Sequence, residues 1–305
     1  MIDNIVYRYY CSYDSVSSTK PQFDSAPLVA GPNGEPAYKV TTSSGEKIFT
    51  AQEITTKYLS SLISSASDFL GRPIDAAVIA VPSFFTSEQY SALEKAAKDA
   101  AGVKVLQFLQ EPAAVAVAYN LTVPQLSTSS GEATAPASKT SQDRNVVVLD
   151  VGATTTTATV VAARQGAYVP LATERETGLG GESFDESLIT FFSKEFTKKT
   201  KAKLDTSNHR AMMKLRLACE TVKRTLSAST SATCSVESLS EGIDFSGSIN
   251  RTRFDLLSSK VYDGILEVVK KALKQADVDV LRVDEVGSHF PNLGIETPFC
   301  VHEWI

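Results

Sequence analysis

The sequence predicts an α/β fold built from strand–helix layers, on three observations. Short apolar runs alternate with helix-period segments from Thr50 to Tyr119, in the order helix, strand, helix, strand, helix. Beyond a polar interruption, three strand-like runs follow one another, and then come helices with apolar residues three and four positions apart. Between the first two of those runs lies Asp150-Val151-Gly152-Ala153-Thr154-Thr155-Thr156, a carboxylate at a strand end followed by a turn of small residues.

Residues 1–49 are rich in Tyr, Ser, Pro and Gly. Pro27, Gly31-Pro32-Asn33-Gly34 and Ser43-Ser44-Gly45 punctuate short strands, with a hairpin at about Pro36–Phe49. Thr50 and Glu53 have capping-box spacing and open a helix. Its apolar stripe is Ile54, Tyr58, Leu62, Ala66 and Phe69, and Gly71-Arg72-Pro73 ends it. A strand at Ala76–Val81 leads to a second capping box, Thr86 and Gln89, whose helix stops at Gly102. Val103–Phe108 is the next strand, and Ala113–Tyr119 a short helix after Pro112.

Residues 122–144 are Ser/Thr/Ala/Pro-rich with almost no large apolar groups, which predicts a loop without a core of its own. Val146–Asp150, Thr156–Ala163 and Tyr168–Glu174 read as an antiparallel meander turning at Arg164-Gln165-Gly166. Gly178-Leu179-Gly180-Gly181 leads into a helix burying Phe184, Leu188, Phe191 and Phe196. The next helix buries Met212, Leu215, Cys219, Val222 and Leu226. A hairpin of Ala232–Glu237 and Asp244–Ile249 turns at Glu241-Gly242, and a last helix over about Thr252–Ala276 buries Val261, Ile265, Val268 and Ala272.

The net charge of −5 gives no reason to expect DNA binding or general nucleic-acid binding. The local run Lys194, Lys198, Lys199, Lys201 and Lys203 reads as a solvated helix end, with a ribosomal RNA contact as the alternative. Cys11, Cys219, Cys234 and Cys300 have no CxxC spacing, and His209, His289 and His302 do not join them at metal-ligand spacing. The expectation is a reduced cytoplasmic protein with no structural zinc, no signal peptide and no membrane span.

The hairpin around Gly152 is where chemistry is expected. Backbone N–H groups and threonine hydroxyls of such a turn can donate to a phosphate, and Asp150 can face a metal ion. The same residue types also fill ordinary hairpin turns. For Glu111 the alternative is a first-turn acid capping the short helix. Glu220, Lys223, Arg224 and Ser227 share one helix face, which reads equally as a surface ion-pair set.

Several segments, in order, resemble the nucleotide-binding domain of the heat-shock-seventy (DnaK-type) chaperones. They are Ala77-Val78-Ile79-Ala80-Val81-Pro82, Gln110-Glu111-Pro112-Ala113-Ala114, Asp150-Val151-Gly152 and Gly178-Leu179-Gly180-Gly181-Glu182-Ser183-Phe184-Asp185. Further on come Ala218-Cys219-Glu220-Thr221-Val222-Lys223-Arg224-Thr225-Leu226-Ser227 and Glu241-Gly242-Ile243-Asp244-Phe245. The resemblance runs from about Thr50 to Val286 and implies an incomplete actin-like ATPase fold, two-lobed with ribonuclease-H-like layers. It divides the chain into a partial first lobe (1–121), the loop 122–144, a second lobe (145–286) and a non-family tail (287–305).

The resemblance implies ATP and magnesium as cofactors, bound weakly or not at all in a chain truncated at both ends. Glu111 and Asp150 would orient magnesium-bound water. Gly152, Thr155, Gly180 and Gly181 would approach the phosphates, and Glu220, Lys223, Arg224 and Ser227 would hold the adenosine. Ala153 and Thr154 replace two usual glycines, which predicts a distorted turn if φ > 0 is needed there. Thr157 replaces an aspartate, and Tyr90 stands where the family has an arginine that couples the nucleotide to the rest of the chaperone.

These departures are similar to the atypical Ssz-type branch, which implies a ribosome-associated co-chaperone. Its partners would be a zuotin-type J-protein and the ribosome, with nascent polypeptides reached indirectly. The alternatives are an ordinary ATP-hydrolysing chaperone domain and a non-functional gene-model fragment. The resemblance places the family's lysine-bearing first phosphate loop upstream of residue 1, so the chain as written is expected not to hydrolyse ATP, because phosphoryl transfer relies on positioning and electrostatics. Single-turnover phosphate release above that of an Asp150→Asn control would overturn this.

Overall fold

The computed structural model describes residues 26–118, 144–164, 167–202, 204–206, 208–240 and 242–289. Most of the expected loop (122–143), turn residues 165 and 166, Glu241 and tail residues 290–305 lie outside the described residues. The chain divides into two compact units, 1–114 and 115–305.

In the first unit, β1 (Leu28–Ala30), β2 (Pro36–Thr42) and β3 (Gly45–Thr50) form an antiparallel sheet. Then come α1 (Ala51–Leu70), β4 (Ala76–Val81), α2 (Ser87–Ala101) and β5 (Lys104–Gln110), with β4 and β5 paired in parallel. This is the expected order, and α3 (Glu111–Ala118) follows directly on β5, its residues from Val115 on belonging to the second unit. Both capping boxes form. The Glu53 N–H donates to Thr50 Oγ1 at 3.2 Å while the Thr50 N–H donates to Glu53 Oε2 at 2.9 Å. Thr86 and Gln89 do the same at 3.4 and 2.9 Å. Left-handed Gly71 and Gly102 end the two helices, as a residue without Cβ allows.

The stripe expected to be buried on α1 is not. Leu62 is 47% exposed and Phe69 89% exposed, while Ala51 and Thr55 are the helix's buried residues. Only the first half of α1 meets a buried cluster, formed by Ala51, Ala92 and Ala96 with Leu59 beside them. Periodicity identified the helix correctly but could not say how much of its apolar face this unit covers.

In the second unit, β6 (Arg144–Val151), β7 (Thr155–Arg164) and β8 (Ala167–Thr177) form the expected meander. Alternation along β6 feeds two faces. Val147 packs with Ala158 and Val160 on one. Val146 and Val148 pack with Val161 and Ala116 on the other, where the Tyr168 hydroxyl donates to Ala116 O at 2.9 Å. The segment α4 (Gly181–Thr200), α5 (His209–Ala228), hairpin β9 (Ser231–Ser240) and β10 (Ile243–Asn250) closes a larger core. Phe184, Leu188, Phe192 and Phe196, each four residues apart, form the buried row of α4. Phe191, expected there, is only partly buried beside it.

Two further expectations change. The single last helix is two, α6 (Arg251–Leu257) and α7 (Ser259–Gln275), broken at the buried Ser258. Val261, Ile265, Val268 and Ala272 are buried on α7 as expected. The residues after Val286 continue β11 (Glu285–His289), which pairs in parallel with β6 from Glu285↔Val146 to His289↔Asp150. The first residues of the expected non-family tail, Gly287–His289, thus cover one edge of β6. Asn145 fixes this register: its N–H donates to Asp284 Oδ2 at 2.8 Å and its side chain to Arg282 O at 3.1 Å.

Phe192 has no exposed surface and sits edge-on to both Phe191 and Phe245. Phe192→Ala is expected to lower stability by about 3–5 kcal/mol through lost burial and a residual cavity. Urea unfolding followed by circular dichroism measures it.

Candidate functional site

Asp150 is the penultimate residue of β6, opposite Thr157 of β7 and beside His289 of β11 in the ladders. Gly152-Ala153-Thr154 makes the turn between the strands, closed by the Gly152 N–H donating to Thr155 O at 2.9 Å. None of these three residues takes a positive φ. The predicted distortion at Ala153 and Thr154 is therefore absent, because their Cβ atoms sit on ordinary backbone. Among the described residues, the N–H groups of Ala153 and Thr154 donate no hydrogen bond.

The turn is docked on the start of α4. The Gly181 and Glu182 N–H groups, in the first turn of the helix, donate to Gly152 O at 2.9 Å and Ala153 O at 2.8 Å. The Gly178 N–H donates to Thr154 O at 2.7 Å, and the Thr156 hydroxyl donates to Leu179 O at 2.9 Å. Four hydrogen bonds thus join 152–156 to 178–182. Gly180 is needed because a Cβ there would lie 2.7 Å from the carbonyl oxygens of both Gly152 and Ala153. Gly180 and Gly181 thus form a docking surface for the turn, with the Gly181 N–H spent on that contact.

α5 lies against α4. Glu220 and Arg224 are exposed on it and pair with each other at 2.7 Å. The Ser227 hydroxyl turns back onto Lys223 O at 3.4 Å. Lys223 points the other way, into the protein. Its Nζ lies 2.7 Å from Asp185 Oδ2 and 3.1 Å from Gly181 O. Burial pushes the Asp185 carboxyl above its ordinary range, ahead of the opposing pull of Lys223. One turn before Lys223, the Cys219 thiol is hydrogen-bonded to Cys234 of β9; that bond and burial hold it well above the usual thiol range. Nothing in sequence spacing pointed to Asp185, which shares its surroundings with Lys223 only once α4 and α5 have packed.

Glu111 is in the first unit, as the first residue of α3 at the end of β5. Tyr90 is stacked edge-on with Phe85 at 5.9 Å and Phe108 at 5.1 Å, so its ring serves the packing of that unit. Part of the lysine run falls on a helix end, Lys194 lies within the helix, and Lys203 is outside the described residues. Lys198 and Lys199 occupy the last turn of α4, where cations oppose the helix dipole. Lys199 also donates to Ser246 O at 2.7 Å. No described helix is long and apolar enough to cross a membrane.

A carboxylate-ended hairpin whose turn is docked on a glycine-opened helix, in mixed α/β layers, defines the class: an actin-like ATPase fold. The chain belongs to the Hsp70 family, whose description, "Hsp70 protein", matches residues 11–287. That match extends the likeness upstream of Thr50, where the resemblance was expected to begin. A heat shock protein 70 homolog of Schizosaccharomyces pombe is 37% identical over 259 residues, covering 83% of this chain and 43% of the relative. "Putative heat shock 70 kDa protein 7" of Homo sapiens is 37% identical over 260 residues, covering 84% of this chain and 65% of the relative. "Ribosome-associated complex subunit SSZ1" of Saccharomyces cerevisiae is 34% identical over 273 residues, covering 87% and 48%. The chain thus spans between about two fifths and two thirds of these relatives' lengths.

Gly180→Ala tests the docked turn. Overpacking against two backbone carbonyls is expected to cost about 1–3 kcal/mol. Chemical denaturation measures this, and a change under about 0.5 kcal/mol, the size usual for an uncrowded surface site, would mean that the turn does not rest on Gly180.

Proposed function

We propose that the second unit binds the nucleotide of an Hsp70-type ATPase domain, with phosphates at the 152–155 turn and adenosine on α5. The observation that carries this is the pair of N–H groups at Ala153 and Thr154, which donate no hydrogen bond among the described residues, in a turn held by four hydrogen bonds to residues 178–182. Such paired donors suit an anion. The hydroxyls of Thr154 and Thr155 stand in the same turn and can add to them.

The donor set fits magnesium as well. Magnesium binds proteins through one or two carboxylates and keeps most of its waters. Asp150, at the strand end before the turn, would orient such a water, and the ion would neutralise phosphate charge. On α5, Glu220 would accept from ribose hydroxyls, Arg224 would lie over the adenine ring and Ser227 would meet the base edge. The Glu220–Arg224 pair holds the two side chains 2.7 Å apart with both reaching solvent.

For the whole protein the reading is a cytosolic chaperone-type function of the Hsp70 family. The finer reading is a co-chaperone that acts with a zuotin-type J-protein on nascent chains at the ribosome. Two observations favour it: the 34% identity with a ribosome-associated complex subunit over 273 residues, and the Ala153-Thr154 pair in the turn. Retention of a zuotin-type J-protein or ribosomes by the longest natural form of the chain supports it, and retention of neither sinks it.

Isothermal titration with Mg-ADP tests the nucleotide reading. The chain is expected to bind weakly, and Arg224→Ala to weaken binding about tenfold further, as loss of one charged contact does. The apo melting temperature should barely move, since Arg224 is exposed. Binding that is unaffected by Arg224→Ala and also by Asp150→Asn would place the nucleotide elsewhere.

A further inference from the structure

Charge is spread unevenly along this chain. Residues 194–216 hold eight lysines and arginines against two acids, a net +6, while the whole chain carries −5. The other 282 residues therefore carry −11. The cationic stretch covers the end of α4, the connection 201–208 and the start of α5. Lys199 and Lys214 bring the two helix ends to one place. The Lys199 ammonium donates to Ser246 O of β10 at 2.7 Å, and that of Lys214 to Glu237 O and Ser238 O of β9 at 3.0 and 3.1 Å. Ser246 pairs with Ser235, so the anchoring carbonyls lie within a few residues of one another on the hairpin.

Other cations of this end are not engaged by the fold. Lys194, Lys198, Lys201 and Arg210 are exposed and form no ion pair among the described residues. Glu195 lies beside them in sequence but leans to Lys199, at 3.9 Å. Asp244 of β10 accepts from the Ser238 N–H at 2.7 Å. Asp205 on the connection and Glu237 on β9 are the further acids near this end.

The placement of these cations works against stability. Lys194 with Lys198, and Arg210 with Lys214, are like charges four residues apart on one helix, a spacing at which they repel. Arg210 stands in the first turn of α5, at the positive end of its dipole, and no acid of that turn offsets it. Lys201 caps α4 with φ 58°, in the left-handed region where helices usually stop on glycine or asparagine. A fold that kept these cations only as a solvated surface would gain from losing any of them. They point instead to a polyanion met from outside.

The surface around them fits nucleic acid better than protein or lipid. None of the large apolar residues described between Lys194 and Arg216 is exposed, whereas a protein interface has an apolar centre and a lipid surface takes apolar anchors. Exposed Thr197, Thr206 and Asn208 stand among the cations and can hydrogen-bond phosphate and sugar. No exposed phenylalanine, tyrosine or tryptophan stands there to stack on an unpaired base, which favours a duplex over a single strand. The 20 residues of α4 rise about 30 Å, so this end is far from the 152–155 turn docked at the helix start. We propose that this end of α4 and α5 is a docking surface for the phosphate backbone of duplex RNA, with Lys194, Lys198, Lys201 and Arg210 as the contacting cations. It deepens the ribosome reading above and rests on it, since folded RNA is what a ribosome presents to such a patch.

Fluorescence anisotropy with a labelled RNA hairpin of arbitrary sequence tests this on the full chain. Micromolar binding is expected at about 50 mM salt, with log K falling steeply as salt rises. Lys194→Gln combined with Lys198→Gln and Arg210→Gln is expected to weaken it about tenfold or more and to lower the salt slope by about 2–3. These exposed sites should tolerate the change, so the melting temperature stays or rises. The control is Lys270→Gln combined with Lys271→Gln and Lys274→Gln on the exposed side of α7. It makes the same change in net charge and should leave RNA affinity within about twofold.

Equal losses in the two variants would make the effect one of net charge and overturn the proposal. So would tighter patch-dependent binding of poly-glutamate, of a single-stranded RNA or of anionic lipid vesicles, which would assign the surface to an acidic protein, an unpaired strand or a membrane. Failure of the unmodified chain to bind the hairpin also overturns it. Co-sedimentation of the longest natural form with ribosomes separates this result from the broader reading. Ribosome retention that survives the 194, 198 and 210 substitutions leaves that reading standing and sinks the surface. Patch-dependent hairpin binding without ribosome retention supports the surface and sinks the ribosome reading.

Discussion

The second unit depends on the four hydrogen bonds that join residues 152–156 to residues 178–182. They take up the backbone groups that a strand turn and a helix start would otherwise leave without partners. They also set the direction in which α4 leaves the sheet, and so where Phe184, Leu188, Phe192 and Phe196 are delivered. The contact demands a residue without Cβ at Gly180, since backbone carbonyls cannot move aside as a flexible side chain can. Leu179, within the second of these segments, lies where a Cβ on Gly264 of α7 would touch it, so α7 is fitted to the same junction.

A second constraint follows from placing charge in this core. Asp185 and Lys223 lie on different helices and are both removed from water. Such a pair contributes little net stability compared with apolar residues of the same shape, but each partner is costly to leave alone. The pair therefore specifies one register of α5 on α4. The exposed Glu220–Arg224 pair, one helix face away, is screened and free to exchange partners. Position on the helix decides which cation serves the fold and which faces solvent.

The first unit follows different physics. Its β4–β5 pair is parallel, the kind of sheet that proteins normally cover on both faces, yet Val78 and Leu106 are exposed. The outer half of α1 is likewise uncovered. The alanine-rich contact of Ala51 with Ala92 and Ala96 lets α1 and α2 approach closely but buries little area.

Much of this protein was determined by its sequence. Capping pairs at Thr50 and Thr86, left-handed stops at Gly71 and Gly102, and two-residue alternation in β6 are local effects, legible because the residues that cause them are neighbours in the chain. The Asp150–Thr156 turn and the α5 face were legible as types of residue at given spacings. What only the tertiary structure decided depends on residues far apart in sequence. It placed β11 on the edge of β6, left half of α1 uncovered, broke the last helix at Ser258 and turned Lys223 inward to Asp185 while Arg224 stayed outside. A helix repeat gives the angle at which a side chain leaves its axis. Whether a carboxylate, an apolar surface or water waits there is fixed by the packing of another segment.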